Sequence, residues 1–466
     1  MDIIHTTESQ ITASEPTATK LKASDADAIE LPELRNDLSM SHRTGPNAKL
    51  QPQEIGASGG NSGASPAEAT EAAPGPHAET KKSRWLSRVQ VSTLSMTLFV
   101  AGWNDGCTGP MLPRIQQVYN ISYAVVSLLF IAGCVGIVAG GLSNVYLTAK
   151  LGFGKVIVLG AILQVIGYSI QAPAPPFPVF ACANGLIGFA IAVQDAQANG
   201  YVAGLKDSAA RLGIMHCIYG VGAFASPLLA TQFAQLRRWS FLYLVSMGVG
   251  ILNVIVLIAV FRLKGQDECL AAAGDALVQS REEQLSSTHG NTYNQIFRQR
   301  AVHLIALFIL AYCGVEVAIG GWTVTYIIDV RGGGPSAGYI SSGFFGGLAV
   351  GRVALLWLNK KLGHRVAVFT YTALAMVLEL IIWFVPSLIS GAVAVSLVGV
   401  LLGPIYPIAM SETGRILPNS LLTESIGWIT AFGWTGAAAV PFLAGLLAQE
   451  KGIWSLQPLC VIFTSL

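Results

Sequence analysis

From residue 89 to the end, the chain is a succession of apolar runs, most of them long enough to cross about 30 Å of hydrocarbon as a helix. No other feature limits the fold as strongly. In lipid each backbone N–H and C=O must find a partner inside the protein, and continuous runs of about 20 apolar residues meet that need as helices. The runs predict spans at 89–111, 122–147, 155–173, 178–204, 211–234, 240–262, 301–329, 336–357, 365–385, 390–412 and 423–448, with a twelfth from 453. Only 12% of the residues are charged, about half the share in a soluble domain. The expected class is an all-α integral membrane protein with six spans, a loop and six more.

Residues 1–88 read as a disordered cytoplasmic tail, since stretches such as "GASGGNSGASPAEATEAAPGP" bury too little apolar surface to offset ordering entropy. The start, "MDIIHTTESQ", lacks a basic segment followed by an apolar one, so the first span is the expected insertion signal. The remaining boundaries are a six-helix bundle over 89–263, a polar loop over 264–299, and a second bundle over 300–466 with an incomplete last helix. Lys and Arg set the orientation. With the N-terminus in the cytoplasm, inner loops and flanks hold seventeen of them, and outer loops hold Arg114, Arg237, Arg238, Arg331 and Lys451. That asymmetry predicts an N-terminus inside.

The two halves repeat at an offset of 211 residues. "VGIVAGGLSNVYLTAKLGFGK" aligns with "GGLAVGRVALLWLNKKLGHR", placing Gly136, Gly140 and Gly152 on Gly347, Gly351 and Gly363. Pairs of small residues four apart let helices approach closely. The same offset carries Asp105, in "AGWNDGCTGPMLPR", onto Glu316. Parallel repeats of this kind are a transporter architecture with the solute site between the halves.

The stretches "AGWNDGCTGPMLPRIQ", "NVYLTAKLGFGKVIVLGAILQ", "QDAQANGYVAGLK", "YGVGAFASPLLATQFAQ", "GVEVAIGGWTVTYI", "GFFGGLAVGR" and "LLGPIYPIAM" resemble the major facilitator superfamily. The resemblance is closest to fungal members of the bypass of stop codon protein 6 type, and more distant to the fucose–proton symporter group. It runs from about residue 85 to the end and implies two pseudo-symmetric six-helix bundles whose helices 1, 4, 7 and 10 line a central cavity. There are two departures. The loop after helix 2 has Ala149 and Lys150 where the family pattern places an aspartate, and the second copy reads Lys360, Lys361. Helix 12 has 14 residues from Ile453, about 21 Å, short of about 30 Å.

Ionisable groups inside a span face the bundle interior or a wet cavity and are functional candidates. A carboxyl group taken from bulk water can load and release a proton near neutral pH, which a proton-coupled carrier requires. Asp105, Asp195 and Glu316 are the coupling candidates, against the alternative of permanent structural pairing. Asn104, Gln194, Asn199, His216, Tyr219, Trp322 and Tyr406 are cavity candidates; Asp195 and Asn199, four apart, share a helix face. Tyr406 lies between Pro404 and Pro407, where a broken helix frees carbonyls. Arg352 is a partner for a carboxylate, or snorkels. Lys150 and Lys361 are gate candidates, and Glu412 reads as gate or surface. Asn120 in "NIS" is the outer-loop glycosylation sequon.

There is no phosphate-binding glycine loop, no nucleophile–base pattern and no cluster of metal-ligand spacing, and the seven scattered cysteines read as buried hydrophobes. The expectation is therefore no enzyme, no cofactor, no metal and no nucleic acid. The partners are a small solute, protons and the bilayer, for a monomer in the plasma membrane. The leading reading is a secondary active carrier taking up a sugar-like or polar solute. The alternatives are export of a fungal metabolite and a membrane sensor or scaffold that transports nothing.

Overall fold

The computed structural model describes residues 81–274, 297–417 and 419–465. The expected tail up to residue 80 and most of the expected inter-bundle loop lie outside the described residues.

Among the described residues the secondary structure is helical throughout. The first half contains α1 (Lys81–Tyr119), α2 (Leu128–Leu151), α3 (Phe153–Gln171), α4 (Phe177–Ala203), α5 (Ser208–Ala234) and α6 (Leu242–Phe261). The second contains α7 (Arg300–Arg331), α8 (Tyr339–Ala354), α9 (His364–Phe384), α10 (Leu388–Leu402, continuing as Ile405–Ile416), α11 (Asn419–Lys451) and α12 (Leu456–Ser465). A short helix, Gln266–Ala273, follows α6, and α8 turns by 55° into Leu356–Leu362. We call the end where α1 starts the tail end and the opposite one the far end.

Nine helices among the described residues are long and apolar enough to span a bilayer, and the bent pair at α8 makes a tenth. The expected count of twelve is met only in part. At 39 residues α1 is about 58 Å long, but its basic first turns and its Asn104–Asp105 pair keep it out of that apolar class. Ile453–Ser465 is apolar but short. Likewise α1 begins at Lys81, inside the stretch assigned to the tail.

The repeat read in the sequence is a repeat of packing. In the first half α1 packs on α5, α2 on α4, and α3 on α4 and α6; in the second, α7 packs on α11, α8 on α10, and α9 on α10 and α12. The repeated glycines are the reason. A Cβ at Gly136 or Gly140 would collide with the backbone carbonyls of Gly185 or Phe189 on α4. At Gly347 or Gly351 it would meet those of Ser396 or Val400 on α10. Gly152 and Gly363 serve a different need. Each ends a helix at positive φ, +81° and +76°, with open space around it, so backbone conformation rather than room calls for glycine there.

The halves meet through α1 on α7, α2 on α11 and α5 on α8. Three hydrogen bonds between them lie toward the far end: Tyr123 Oη donates to Asp329 Oδ2 at 2.7 Å, Gln235 Nε2 to the Pro335 carbonyl at 3.2 Å, and Gln232 pairs with Tyr339; deeper in, Cys134 Sγ donates to the Trp434 carbonyl at 3.4 Å. These contacts tie the two halves together at the far end.

Candidate solute cavity

Glycine places the acid of α1. A Cβ at Gly102 or Gly106 would run into the carbonyls of Tyr219 and Ala223 on α5, and one at Gly109 into that of Gly320 on α7. These three residues press the α1 backbone against one helix from each half. Asp105, between them, faces a cavity of about 180 Å³, room for roughly six waters at about 30 Å³ each. Glu316 of α7 lines the same cavity from the other half. The repeat-related acids thus share one space.

Their surroundings differ. Tyr219 Oη donates to Asp105 Oδ2 at 2.5 Å, and Asn104 Nδ2 reaches Oδ1 at 3.4 Å. Asp105 therefore has neutral donors. Glu316 has a cation, with Arg352 Nη2 at 3.9 Å from its Oε1. Both side chains of that pair are roughly a quarter exposed or less, so the attraction is partly screened and the pair can exchange partners. Asn104, Thr108 and Asn184 add polar groups to the wall, while Phe345 and Trp434 add aromatic faces.

Behind Asn104 runs a hydrogen-bonded chain of which sequence reading named only Asn104 and Gln194. Tyr168 Oη donates to Asn104 Oδ1 at 3.4 Å, Gln164 Nε2 to Tyr168 Oη at 3.1 Å, and Gln194 Nε2 to Gln164 Oε1 at 2.8 Å. Asn253 Nδ2 then donates to Gln194 Oε1 at 3.1 Å, and Thr97 Oγ1 to Asn253 Oδ1 at 3.0 Å. Of the missed members, Gln164 and Tyr168 come from α3 and Asn253 from α6, helices outside the four expected to line the cavity, and Thr97 comes from α1.

The other candidates are placed as follows. Gln194 is buried in this chain rather than set on the cavity wall, because its amide is spent on Gln164, Asn253 and the Ala190 carbonyl. Asp195 and Asn199 do share a face, Nδ2 to Oδ1 at 3.0 Å. Asp195 lies off the cavity wall, near Thr97 and Gln164. Trp322 is a correction: it is fully buried, its Nε1 donates to the Pro441 carbonyl at 2.9 Å, and its ring sits 6.0 Å from Tyr123 and 6.2 Å from Phe130. It plugs the far end rather than facing a solute.

Tyr406 and His216 also stand off the cavity wall. Tyr406 lies 3.5 Å from Thr430 Oγ1, and His216 is exposed on α5. The break in α10 does free a carbonyl, that of Leu402, which accepts from Tyr312 Oη at 3.1 Å. Lys150 and Lys361 are exposed at the tail end, 5.7 Å from the Tyr146 ring and 3.9 Å from the Trp357 ring; both residues of each pair obey the 211-residue offset. Glu412 bonds His364 and Arg415, and Asn120 is an exposed turn residue at φ +49°.

Comparison with known proteins agrees with this architecture. The sequence model of the Major Facilitator Superfamily matches residues 94–441. Bypass of stop codon protein 6 of Saccharomyces cerevisiae is 28% identical over 408 residues, covering 82% of this chain and 81% of that protein. A glucose/galactose transporter of Brucella abortus is 23% identical over 405 residues, covering 81% and 92%. The crystal structure of the Escherichia coli fucose:proton symporter superposes with a TM-score of 0.57 at 17% identity, covering 83% of this chain and 97% of that one.

Proposed function

The chain belongs to the major facilitator superfamily, and from that premise we propose that it carries a neutral, sugar-like solute together with a proton, by alternating access to the cavity between its halves. The observation that carries the reading is the pair of repeat-related acids, Asp105 and Glu316, on one cavity. Asp105 is the proton carrier. As a carboxylate it accepts from Tyr219; as an acid it offers an O–H instead. Loading a proton therefore changes what the first-half wall presents to a hydroxyl group. Glu316, compensated by Arg352, remains an acceptor for solute hydroxyls. The polar rim of Asn104, Thr108 and Asn184 with the faces of Phe345 and Trp434 suits a ring with hydroxyl edges and apolar faces. The Brucella relative's name supports the same class.

The Lys and Arg distribution supports a cytoplasmic tail end, which makes the far end the outer gate, in the plasma membrane. The cavity is built within one chain, in keeping with a working monomer. Lys150 and Lys361, both at the tail end, belong to the inner gate.

Proteoliposome uptake tests the reading. The wild type accumulates one or more of a panel of neutral hexoses and pentoses when the pH gradient is imposed. Asp105→Asn retains exchange of labelled sugar but loses gradient-driven accumulation. A folded wild type that moves none of the panel with or without a gradient overturns the proposal.

A further inference from the structure

One acid in the second half has no part in the cavity. Glu379 of α9 is 1% exposed, and neither of its carboxyl oxygens has a hydrogen-bond partner. The titratable and charged groups around it are few. Tyr326 comes from α7, with the Arg331 guanidinium 5.7 Å from its ring, and Cys460 from α12; the adjoining stretch of α10, Leu388–Leu402, carries none, and on α9 itself Tyr371 is two turns away and bonded to Asn359. An ionised carboxylate at this point would be a buried, unpaired charge, among the costliest things a fold can hold. A proton on one carboxyl oxygen removes that charge.

Arg331 gives that proton a consequence. Its guanidinium donates to the carbonyls of Ile382 and Trp383, each at 2.7 Å, the last turn of α9 and one turn beyond Glu379. Both acceptors are neutral and share the one nitrogen Nη2, so a carboxylate brought within reach competes well for it. Arg331 is also the last residue of α7, followed by Gly332 at φ +64°. Two residues before it, Asp329 holds Tyr123 of the other half.

We propose that Glu379 is a proton-binding site separate from the cavity acids, and that its proton state acts through Arg331 on the closure of the far end. With the proton bound, Arg331 rests on α9 and Asp329 meets Tyr123. When the O–H bond breaks, the electron pair stays on the carboxylate and the proton passes to water. Arg331 then exchanges the two carbonyls for Glu379, the last turn of α7 is drawn with it, and the Tyr123–Asp329 bond weakens. The proposal rests on the reading of the far end as a gate, and not on Asp105 as the carrier.

The test uses the full chain in proteoliposomes with Asp105→Asn as background, which removes the cavity acid's own titration. Alkylation of Cys134, a cavity residue, by an impermeant maleimide from the far side reports opening. Its rate is divided at each pH by that of the Asp105→Asn/Glu379→Gln double variant, which cancels the thiol's own ionisation. The ratio is expected to rise roughly five- to tenfold from mildly acidic to mildly alkaline pH, the scale of a modest coupling between sites. Glu379→Met, apolar and similar in size, serves as the reference if the glutamine variant does not fold. A ratio flat with pH overturns the proposal. Tyr123→Phe in the same assay separates the two layers: if it speeds alkylation while the ratio stays flat, the gate stands and Glu379 falls.

Discussion

Tyr123→Phe isolates the far-end closure, because the atom it removes touches the other half. The hydroxyl donates to Asp329 Oδ2 at 2.7 Å across the halves. The ring that remains keeps its edge contact with Trp322 at 6.0 Å. A bond to an ionised acceptor contributes about 1.5–3 kcal/mol when buried. This one is exposed, so we scale it to about 0.5–1.5 kcal/mol. That is roughly a two- to twelvefold shift of the gate toward opening. Cys134 lines the cavity beneath, with its thiol 3.4 Å from the Trp434 carbonyl. Peptide-resolved alkylation from the far side should therefore quicken by about that factor, while the thermal midpoint in detergent stays within about a degree or two. Unchanged Cys134 reactivity would refute the reasoning. So would a faster reaction matched by a large fall in the midpoint, since that marks a general loosening instead of a gate.

Three further substitutions test the packing that holds the site. Gly351→Leu drives a side chain into the Val400 carbonyl of α10 and should cost about 1–3 kcal/mol, read as a lower midpoint and poorer yield. Gly141→Leu, one position beyond the repeat-related Gly140 and with nothing near its Cβ, should leave the midpoint almost unchanged. Gln164→Leu cuts the chain behind Asn104 and leaves Gln194 Nε2 with only the Ala190 carbonyl. A loss of about 1–3 kcal/mol is expected, together with weaker solute affinity, because Tyr168 no longer has a donor holding it in register with Asn104. Wild-type affinity at a lowered midpoint would show that the chain supports the fold and not the cavity.

The fold was legible because its signals are long. Apolar runs, basic flanks and a 211-residue repeat each sum over many residues, and the glycine pairs they align prove to be close helix approaches. Asp105 and Glu316 were legible for a related reason: an acid in an apolar run is costly unless it faces something polar. What failed was direction. Trp322 lies beside Gly320 and Gly321, which suggested room for a ligand; the space is taken by Phe130, against which a Cβ at Gly321 would press. Gln194 is adjacent to Asp195, yet which amide turns inward depends on Gln164 and Asn253 from other helices. Glu379, in the apolar run 365–385, meets the same criterion and was not taken up. What a single sequence does not show is that packing leaves its carboxyl without a partner.

The repeat also explains why the two cavity acids do not compete for one role. Duplication of a half gives matching positions, and Asp105 and Glu316 occupy them. Their neighbours have diverged: the residue 211 before Arg352 is Gly141, and the residue 211 after Tyr219 is Thr430. The first-half acid thus has a hydroxyl donor and no cation, so adding or removing a proton changes its charge without a fixed counter-ion to oppose the change. The second-half acid has a cation within 3.9 Å, and protonating it would strand Arg352, whose Nε already has no partner. A part-buried cation left unpaired costs more than a neutral carboxyl group beside a tyrosine. On the proposed reading, proton loading falls to Asp105, and Glu316 with Arg352 is left to orient the solute against it.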